Sequence, residues 1–268
     1  HSIALSNGIH QLVLEITDEV GYTSSQSIIV RVDSTQLSLT CSIEPASWTN
    51  STPIFNHSRS TQGPSASTWW LTWAGNNLTM PGTSYLLQNL SEGRTPVVLQ
   101  YQNQAGSLAI CGADALVDRS SPILWTAPTP QVVNSTSYEL HIAAFDFYSG
   151  ISQITFEVNG QMLAPENNLI ANSNHSIIRT ISLLEGMNNI RITVIDQAGN
   201  SDSTNLTILS DTTSPTISTF FVEGGGEWRS TTSILLNYNV YDLIDLNPSV
   251  DLLINGAVYE YNLPSGTN

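Results

Sequence analysis

Hydrophobic and polar side chains alternate along much of the chain, most clearly in residues 186–196. The apolar residues of this run fall on one face of an extended strand: Ile190, Ile192 and Val194. A period of two residues is typical of a β-strand with one buried face. Asp196 and Gly199 bracket the turn that follows, in which glycine can take the positive φ that closes a hairpin. The pattern predicts the last hairpin of a β-domain, followed by a linker that ends at Pro215.

The same hairpin pattern occurs three times. A glycine begins its first strand at intervals of 85 and 93 residues: Gly8, Gly93 and Gly186. The turns keep these intervals: Asp18 to Gly21, Asn103 to Gly106, and Asp196 to Gly199. So do the aspartates that begin the linkers: Asp33, Asp118 and Asp211. Three landmarks in one register indicate a tandem repeat of about 90 residues, the size of a seven-stranded β-sandwich.

This repeat divides the chain into four predicted segments: residues 1–33, 34–118, 119–211 and 212–268. The two central segments are complete repeats. The first segment holds only the final hairpin of a domain, with a strand at Leu12–Ile16, and the last holds only opening strands, one of them at Val250–Ile254. We therefore expect an all-β chain of tandem sandwiches with about seven strands each.

We expect residues 1–33 to complete the domain that residues 212–268 of a neighbouring unit begin. A lone two-stranded hairpin is marginal in water, and each fragment has an apolar face that needs a cover. Two routes stay open: a separate subunit donates its strands in trans, or the chain continues covalently. The sequence formed at such a joint, Asn268 followed by residues 1–3, matches residues 174–177 and favours covalent continuity.

The charge and hydrophobic content of the chain indicate which binding partners are to be expected. The chain has 22 acidic residues against seven arginines and no lysine, for a net charge of −15. Nucleic acid is therefore not an expected partner, because neutralising phosphates takes clustered cations. Hydrophobic residues make up 40% of the chain, enough for a folded core. Its apolar runs are shorter than the roughly 20 residues of a membrane helix, so we expect no membrane span in this segment.

Cys41 and Cys111 fall in the predicted first and last strands of the second repeat. Those strands can be neighbours in a sandwich, so we expect a disulfide between them. The alternative is a pair of free, buried thiols. A disulfide is typical of an extracellular chain.

Seven Asn-X-Ser/Thr sequons occur, at Asn50, Asn56, Asn77, Asn89, Asn134, Asn174 and Asn205. Together with the missing lysines, they favour a glycosylated outer surface. Glycans would then take the place of the lysines that usually guard sheet edges. We expect Asn77 and Asn174 to be the best acceptors, since both lie near predicted strand ends.

Three segments resemble a known family: the Asp-Gln-Ala-Gly-Asn turn at 196–200, the Asp-Thr-Thr-Ser-Pro linker at 211–215, and Asp-Phe-Tyr-Ser-Gly-Ile at 146–151. They look like bacterial and archaeal immunoglobulin-like surface repeats. The resemblance implies an extracellular, cell-surface stalk, adhesin or filament role and no particular chemistry. The second repeat departs from it most, with Asn103 in place of the turn aspartate and no Ser-Pro after Asp33.

One acidic grouping is a candidate site. In a seven-stranded sandwich the second-to-third-strand loop, the last hairpin turn and the preceding linker lie at one pole. In the third repeat these carry Asp146, Asp196 and Asp118. Three carboxylates there can bind Ca²⁺ and stiffen a junction. The alternative is that each aspartate caps its own turn. The second repeat lacks the set, so we do not expect an ion at every junction.

The sequence holds no recognisable catalytic constellation, and we interpret the chain as part of a surface filament or stalk rather than an enzyme. The rival interpretation is a carbohydrate- or host-binding adhesin with a ligand site on one repeat. Trp70 is the candidate contact, because alternation directs Trp69, Leu71 and Trp73 inward and Trp70 outward. Alternatively, the polar connection at residues 46–67 covers Trp70. A third class, an enzyme with accessory modules, needs a catalytic domain outside these residues.

Overall fold

The computed structural model describes residues 1–59, 66–79, 82–167, 174–225, 228 and 230–263. Strands and turns make up this part of the chain, which contains no helix. It accordingly holds no helix that is long and apolar enough to cross a membrane. The fold class is all-β, as the alternation predicted.

Residues 1–33 form an isolated antiparallel hairpin of β1 (Gly8–Thr17) and β2 (Thr23–Val32). The Asp18 carboxylate closes its turn by accepting the backbone N–H groups of Val20 and Tyr22, at 3.0 and 2.9 Å. Large apolar side chains on both faces are exposed to solvent, including Val13, Leu14 and Ile16. The hairpin therefore has no core of its own.

The second repeat is a two-sheet sandwich of seven strands. One sheet has the order β3-β4-β7 and the other β6-β5-β8-β9. The strands are β3 (Leu39–Glu44), β4 (Ile54–Arg59), β5 (Ser67–Trp73), β6 (Asn76–Leu78), β7 (Ser84–Leu86), β8 (Gly93–Asn103) and β9 (Leu108–Val117). The side chains of Phe55, Leu71, Val97 and Leu99 form the centre of its core.

The polar connection expected at residues 46–67 is wrong in one respect, because it contains β4. This strand is the middle of its sheet, paired with β3 on one side and β7 on the other. Its central role is clear from Phe55, which is completely buried. Residues 60–65 of the expected connection lie outside the described residues.

The disulfide expected between Cys41 and Cys111 is present, with a Cα–Cα distance of 5.7 Å. Cys41 lies on β3 and Cys111 on β9, so the bond joins one sheet of the sandwich to the other. It closes the edge where the first and last strands of the repeat adjoin.

The third repeat has the same architecture. Its sheets have the orders β10-β12-β15 and β11-β17-β16-β13-β14. The strands are β10 (Ile123–Thr126), β11 (Val132–Val133), β12 (Ser137–Phe145), β13 (Ile151–Val158), β14 (Gln161–Met162), β15 (His175–Ser182), β16 (Gly186–Asp196) and β17 (Ser201–Ser210). Ile154, Phe156, Ile192 and Val194 are completely buried between the sheets.

Residues 212–263 form two separate two-stranded sheets. One contains β18 (Thr216–Val222) and β19 (Leu236–Tyr241), and the other β20 (Val250–Ile254) and β21 (Ala257–Leu263). Within the described side chains of this segment, Val240 is the one buried hydrophobic residue. Every strand pairing between described residues stays inside one predicted segment, so the four domain boundaries remain a prediction with which the pairing is consistent.

The three hairpins share one register. Gly8 is opposite Val32, Gly93 is opposite Val117, and Gly186 is opposite Ser210. The β1–β2 hairpin is thus the same structural element as β8–β9 and β16–β17. In the two complete repeats this element has a sandwich to cover, whereas β1–β2 has none among the described residues.

Candidate functional site: the junctions between repeats

Three carboxylates meet at the N-terminal pole of the third repeat. Asp118 lies in the linker, Asp146 follows β12, and Asp196 ends β16. One oxygen from each lies within 4.8 Å of the other two, and all three residues are buried. The convergence expected from the sequence is therefore confirmed.

Each carboxylate also caps its own turn, so the alternative expectation holds at the same time. Asp146 Oδ1 accepts the N–H groups of Tyr148 and Gly150, at 3.1 and 2.7 Å. Asp196 Oδ1 accepts the N–H of Asn200 at 2.8 Å. These hydrogen bonds fix the direction of each carboxylate before any partner is added.

Bringing the acids together has an electrostatic cost, which is clearest at Asp118. Burial raises the pKa of Asp118, and the nearby charge of Asp146 raises it further, against the lowering effect of its hydrogen bonds with Ser149. The Ser149 N–H donates to Asp118 Oδ2 at 3.1 Å. Such a cluster favours any species that reduces its negative charge, either a proton or a cation. Its donor atoms are carboxylate oxygens, the ligands that Ca²⁺ prefers.

The second repeat makes the corresponding contact without the like charges. Its linker aspartate is Asp33, and its turn residue is Asn103. The Asn103 Nδ2 donates to Asp33 Oδ2 at 3.1 Å. One carboxylate and one amide thus stand where the third repeat has two carboxylates, in line with the expectation that the acidic set is not repeated there.

A second device, which we call the linker clamp, recurs at all three junctions. It consists of the residue before each landmark glycine: Asn7, Glu92 and Glu185. Each accepts the first N–H after the linker aspartate: Ser34 N–H at 2.8 Å, Arg119 N–H at 2.7 Å and Thr212 N–H at 3.1 Å. Each also accepts a linker hydroxyl: Ser34 at 2.6 Å, Ser120 at 2.9 Å and Thr212 at 2.5 Å. The clamp ties the start of every linker to the hairpin that precedes it.

The linker aspartates complete the clamp from the other side. Each accepts the N–H two residues further on: Thr35 at 3.1 Å, Ser120 at 3.1 Å and Thr213 at 3.3 Å. The hydrogen bonds from Thr212 lower the pKa of Glu185, as expected for an acceptor whose ionised form is stabilised. The backbone of each linker is thus held at two successive N–H groups.

At two of the three junctions the landmark glycine lies against a side chain of the next repeat. A Cβ on Gly93 would stand 3.7 Å from Cε1 of Tyr148, which belongs to the third repeat. A Cβ on Gly186 would stand 3.8 Å from Cδ1 of Ile244, in the fourth segment. Tyr148 lies two residues after Asp146, which follows β12, and Ile244 lies two residues after Asp242, which follows β19. The contact between repeats is therefore the same at both junctions.

Sequence reasoning missed the linker clamp. A signal was present, because Asn7, Glu92 and Glu185 keep the 85- and 93-residue intervals of the glycines. Their identities differ, and a single exposed acid or amide has no obvious partner until the linker is seen to fold back. The function of these residues depends on the backbone path, which periodicity does not reveal.

The sequons are spread over both complete repeats. Six of the asparagines are exposed: Asn50, Asn77, Asn89, Asn134, Asn174 and Asn205. Asn56 is half-buried on β4, and its Oδ1 accepts the Ser84 hydroxyl at 2.6 Å. Asn50 lies at a junction, since its Nδ2 is 3.9 Å from the place of a Cβ on Gly199.

Two of the three β5 tryptophans lie inward, as expected. Trp73 is buried and Trp69 packs against the core, where its ring stacks on Tyr101 with centroids 4.1 Å apart. The Arg59 guanidinium lies over the Trp69 ring, 5.1 Å from its centroid. Trp70 is half-buried, so its role as a sugar contact stays a prediction.

No protein-family model and no curated protein matches the chain. Several solved structures are similar to the chain. Fibronectin(III)-like modules of Clostridium thermocellum CbhA are 11% identical, covering 64% of this chain and 94% of that one, with a TM-score of 0.37.

Two adhesins give similar results. The tetra-tandem repeat in the extending region of a large adhesion protein is 19% identical, covering 91% of this chain and 66% of that one, with a TM-score of 0.40. A 1.5-MDa bacterial ice-binding adhesin is 16% identical, covering 76% and 74%, with a TM-score of 0.32. The β-sandwich fold of the two complete repeats is established by the strand pairing of this chain itself.

Proposed function

We propose that this chain is a structural repeat segment of an extracellular cell-surface filament or stalk. The observation that carries the proposal is the repetition of the junctions. The linker clamp recurs three times, and the contact of a landmark glycine with the next repeat recurs twice. A chain that repeats its inter-domain contacts places each domain in a regular relation to the last, as an extended rod requires.

The acidic composition and the disulfide support an extracellular, cell-surface location. A net charge of −15 keeps neighbouring rods apart in solution. A disulfide persists in oxidising compartments outside the cytosol. Exposed sequons offer positions for glycans along the rod.

Units of the rod join head to tail through a shared domain in this proposal. Residues 1–33 have no sandwich of their own to cover, and residues 212–263 have strands without a packed core. A completed domain would also gather Asp18, Asp211 and Asp242, the counterparts of Asp196, Asp118 and Asp146. The identical neighbouring unit is therefore the expected partner, whether it follows in the same chain or arrives as a separate one.

Hydrogen exchange on the 268-residue chain tests the joining. In dilute solution the amides of β1, β2 and β18–β21 should exchange rapidly, while those of β12, β13 and β16 stay protected. At high concentration the first group should gain protection together. Full protection of both end segments in a dilute monomer would contradict joining through a shared domain.

Electron microscopy of concentrated chain tests the rod. Unbranched fibres with three domains per period are expected. Compact clusters with no regular period would contradict a filament or stalk role.

A further inference from the structure

We propose that β20 of one copy of this chain pairs with β1 of a second copy in a fixed register, with Ile254 opposite Leu12. The inference rests on the proposed head-to-tail joining and specifies its interface residue by residue. The occupant of the open sandwich is the β1–β2 hairpin of the second copy.

The two complete repeats supply the template. In the second repeat β5 pairs with β8, and Trp73 is opposite Val97. In the third repeat β13 pairs with β16, and Val158 is opposite Ile190. Val97 and Ile190 each lie four residues after a landmark glycine, Gly93 or Gly186. The register of this pairing is therefore the same in both.

Two backbone landmarks show which residues of the end segments correspond to this pair. Val158 precedes Asn159 and Gly160, with φ values of 51° and 79°. Ile254 precedes Asn255 and Gly256, with φ values of 53° and 82°. This is the same left-handed turn, so Ile254 corresponds to Val158. Leu12 lies four residues after Gly8 and corresponds to Ile190.

The strand edges required for this pairing are available. Among the described residues β20 pairs only with β21, as β5 pairs with β6 and β13 with β14 on the equivalent side. Likewise β1 pairs only with β2. Joining the two edges gives the order β21-β20-β1-β2, which reproduces β6-β5-β8-β9 of the second repeat. Backbone hydrogen bonds along both edges are satisfied in the same step.

The apolar faces match as well. A cleft of about 230 Å³ lies between the two sheets of the fourth segment. Ile217, Phe220, Leu236 and Leu252 are among the residues that line it. The transferred register directs Leu12, Leu14 and Ile16 toward this cleft, because their counterparts in the third repeat are the core residues Ile190, Ile192 and Val194.

One pair in this register opposes association and so makes it testable. Asp251 falls opposite Glu15, on the outer face of the sheet. Like charges directly opposite each other destabilise a sheet. In the third repeat the neighbouring outer pair is Glu157 opposite Arg191, which is attractive. Reversing the charge of Glu15 should therefore strengthen the joint.

Cysteine cross-linking tests the register. A Leu12→Cys chain is mixed with an Ile254→Cys chain under mild oxidation, with Val13→Cys replacing Leu12→Cys as the matched control. Val13 is one residue along the same strand and points to the other face. We expect a cross-linked heterodimer from the first mixture, at least about tenfold above the second. Equal yields, or a higher yield from Val13→Cys, would overturn the register.

Charge reversal tests it independently. Glu15→Arg should tighten self-association about fivefold by sedimentation equilibrium, from the usual size of cross-strand charge effects. Glu19→Arg makes the same change in net charge within the turn, outside the paired strands, and should have a smaller effect. Equal effects of the two variants would contradict the assigned pair.

The outcomes separate the two proposals. Concentration-dependent association with off-register cross-links overturns the register and leaves head-to-tail joining standing. A chain that remains monomeric at every concentration, with no cross-link in any mixture, overturns both. Cross-linking at Leu12 with Ile254, and its absence at Val13, supports both.

Discussion

The side-chain amide of Asn103 donates a hydrogen bond to the carboxylate of Asp33, 3.1 Å away, at the position where the next repeat opposes Asp196 to Asp118. Neighbouring repeats thus use one backbone arrangement with different charges. At its pole the second repeat pairs a hydrogen-bond donor with an acceptor, so no like charges face each other there. The third repeat concentrates negative charge at its pole.

Replacing Asn103 with aspartate should destabilise the second repeat by about 1–3 kcal/mol, because the change removes a buried donor and sets two carboxylates against each other. Asn103 Oδ1 also accepts the Ser107 N–H, and aspartate keeps that bond. Chemical denaturation followed by Trp fluorescence measures the effect, since tryptophans lie in this repeat. An unchanged midpoint would show that the Asp33 contact is energetically neutral.

The charge cluster of the third repeat predicts a pH effect. The pKa of Asp118 is raised by burial and by Asp146, so ionising it costs folding free energy. This cost is absent below the unfolded pKa of about 3.9, grows as the pH rises through the higher folded pKa, and is constant above it. Asp146→Asn should remove part of the cost, so its stability gain in chelator-containing buffer should increase from pH 4 to pH 7. The matched control, Glu139→Gln on the exposed face of β12, should show no such increase.

Calcium should stabilise the unmodified chain more than the Asp146→Asn variant, opposite to the effect expected in chelator. Three carboxylates attract a divalent cation more strongly than two, so Ca²⁺ should raise the melting temperature of the unmodified chain more than that of Asp146→Asn. Glu139→Gln should respond like the unmodified chain. An identical response of all three proteins would assign the stabilisation to general ionic screening rather than to the carboxylate cluster.

Removing the linker clamp should turn the junction into a hinge. Glu92→Ala removes the acceptor for the Arg119 N–H and the Ser120 hydroxyl, so the angle between the second and third repeats should vary more widely. Distances between spin labels on the two repeats, measured by pulsed electron resonance, should broaden. Glu92→Gln keeps one acceptor oxygen, as Asn7 does at the first junction, and should stay close to the unmodified distribution.

Glycan occupancy should follow exposure. Asn56 is half-buried on the middle strand of its sheet, and its side-chain oxygen accepts the Ser84 hydroxyl. We expect it to carry the least glycan of the seven sequons, with Asn77 and Asn174 among the most occupied. Glycopeptide mass spectrometry of chain from its native source measures each site. Modification of Asn56 at or above the level of Asn77 would contradict this order.

The elements that the sequence predicted best are those with a strict local pattern. The strand at Val250–Ile254 and the three hairpin turns follow from alternation and from glycine and aspartate positions. The convergence of Asp118, Asp146 and Asp196 followed from topology, since a sandwich gathers alternate loops at one pole.

Strand β4 was missed for the opposite reason. Its residues are mostly polar, and Phe55 alone marks the buried face strongly. Pairing on both sides by β3 and β7 stabilises it, and a local pattern does not reveal such partners. The linker clamp was missed because each acceptor lies 27 residues before the N–H group that it accepts, and periodicity does not show which distant backbone groups the fold brings together.

The bond between Cys41 and Cys111 also decides how the array would behave under tension. A pull along the chain reaches the second repeat near β3 and leaves near β9, the two strands that the disulfide joins. Force would therefore pass through the disulfide, and the chain between the two cysteines, which are 70 residues apart in sequence, would carry none of it. About 240 Å of contour length, at roughly 3.5 Å per residue, would stay locked even after the sheets part. The third repeat has no cysteine and can unravel completely, which makes it the extensible element beside an inextensible one.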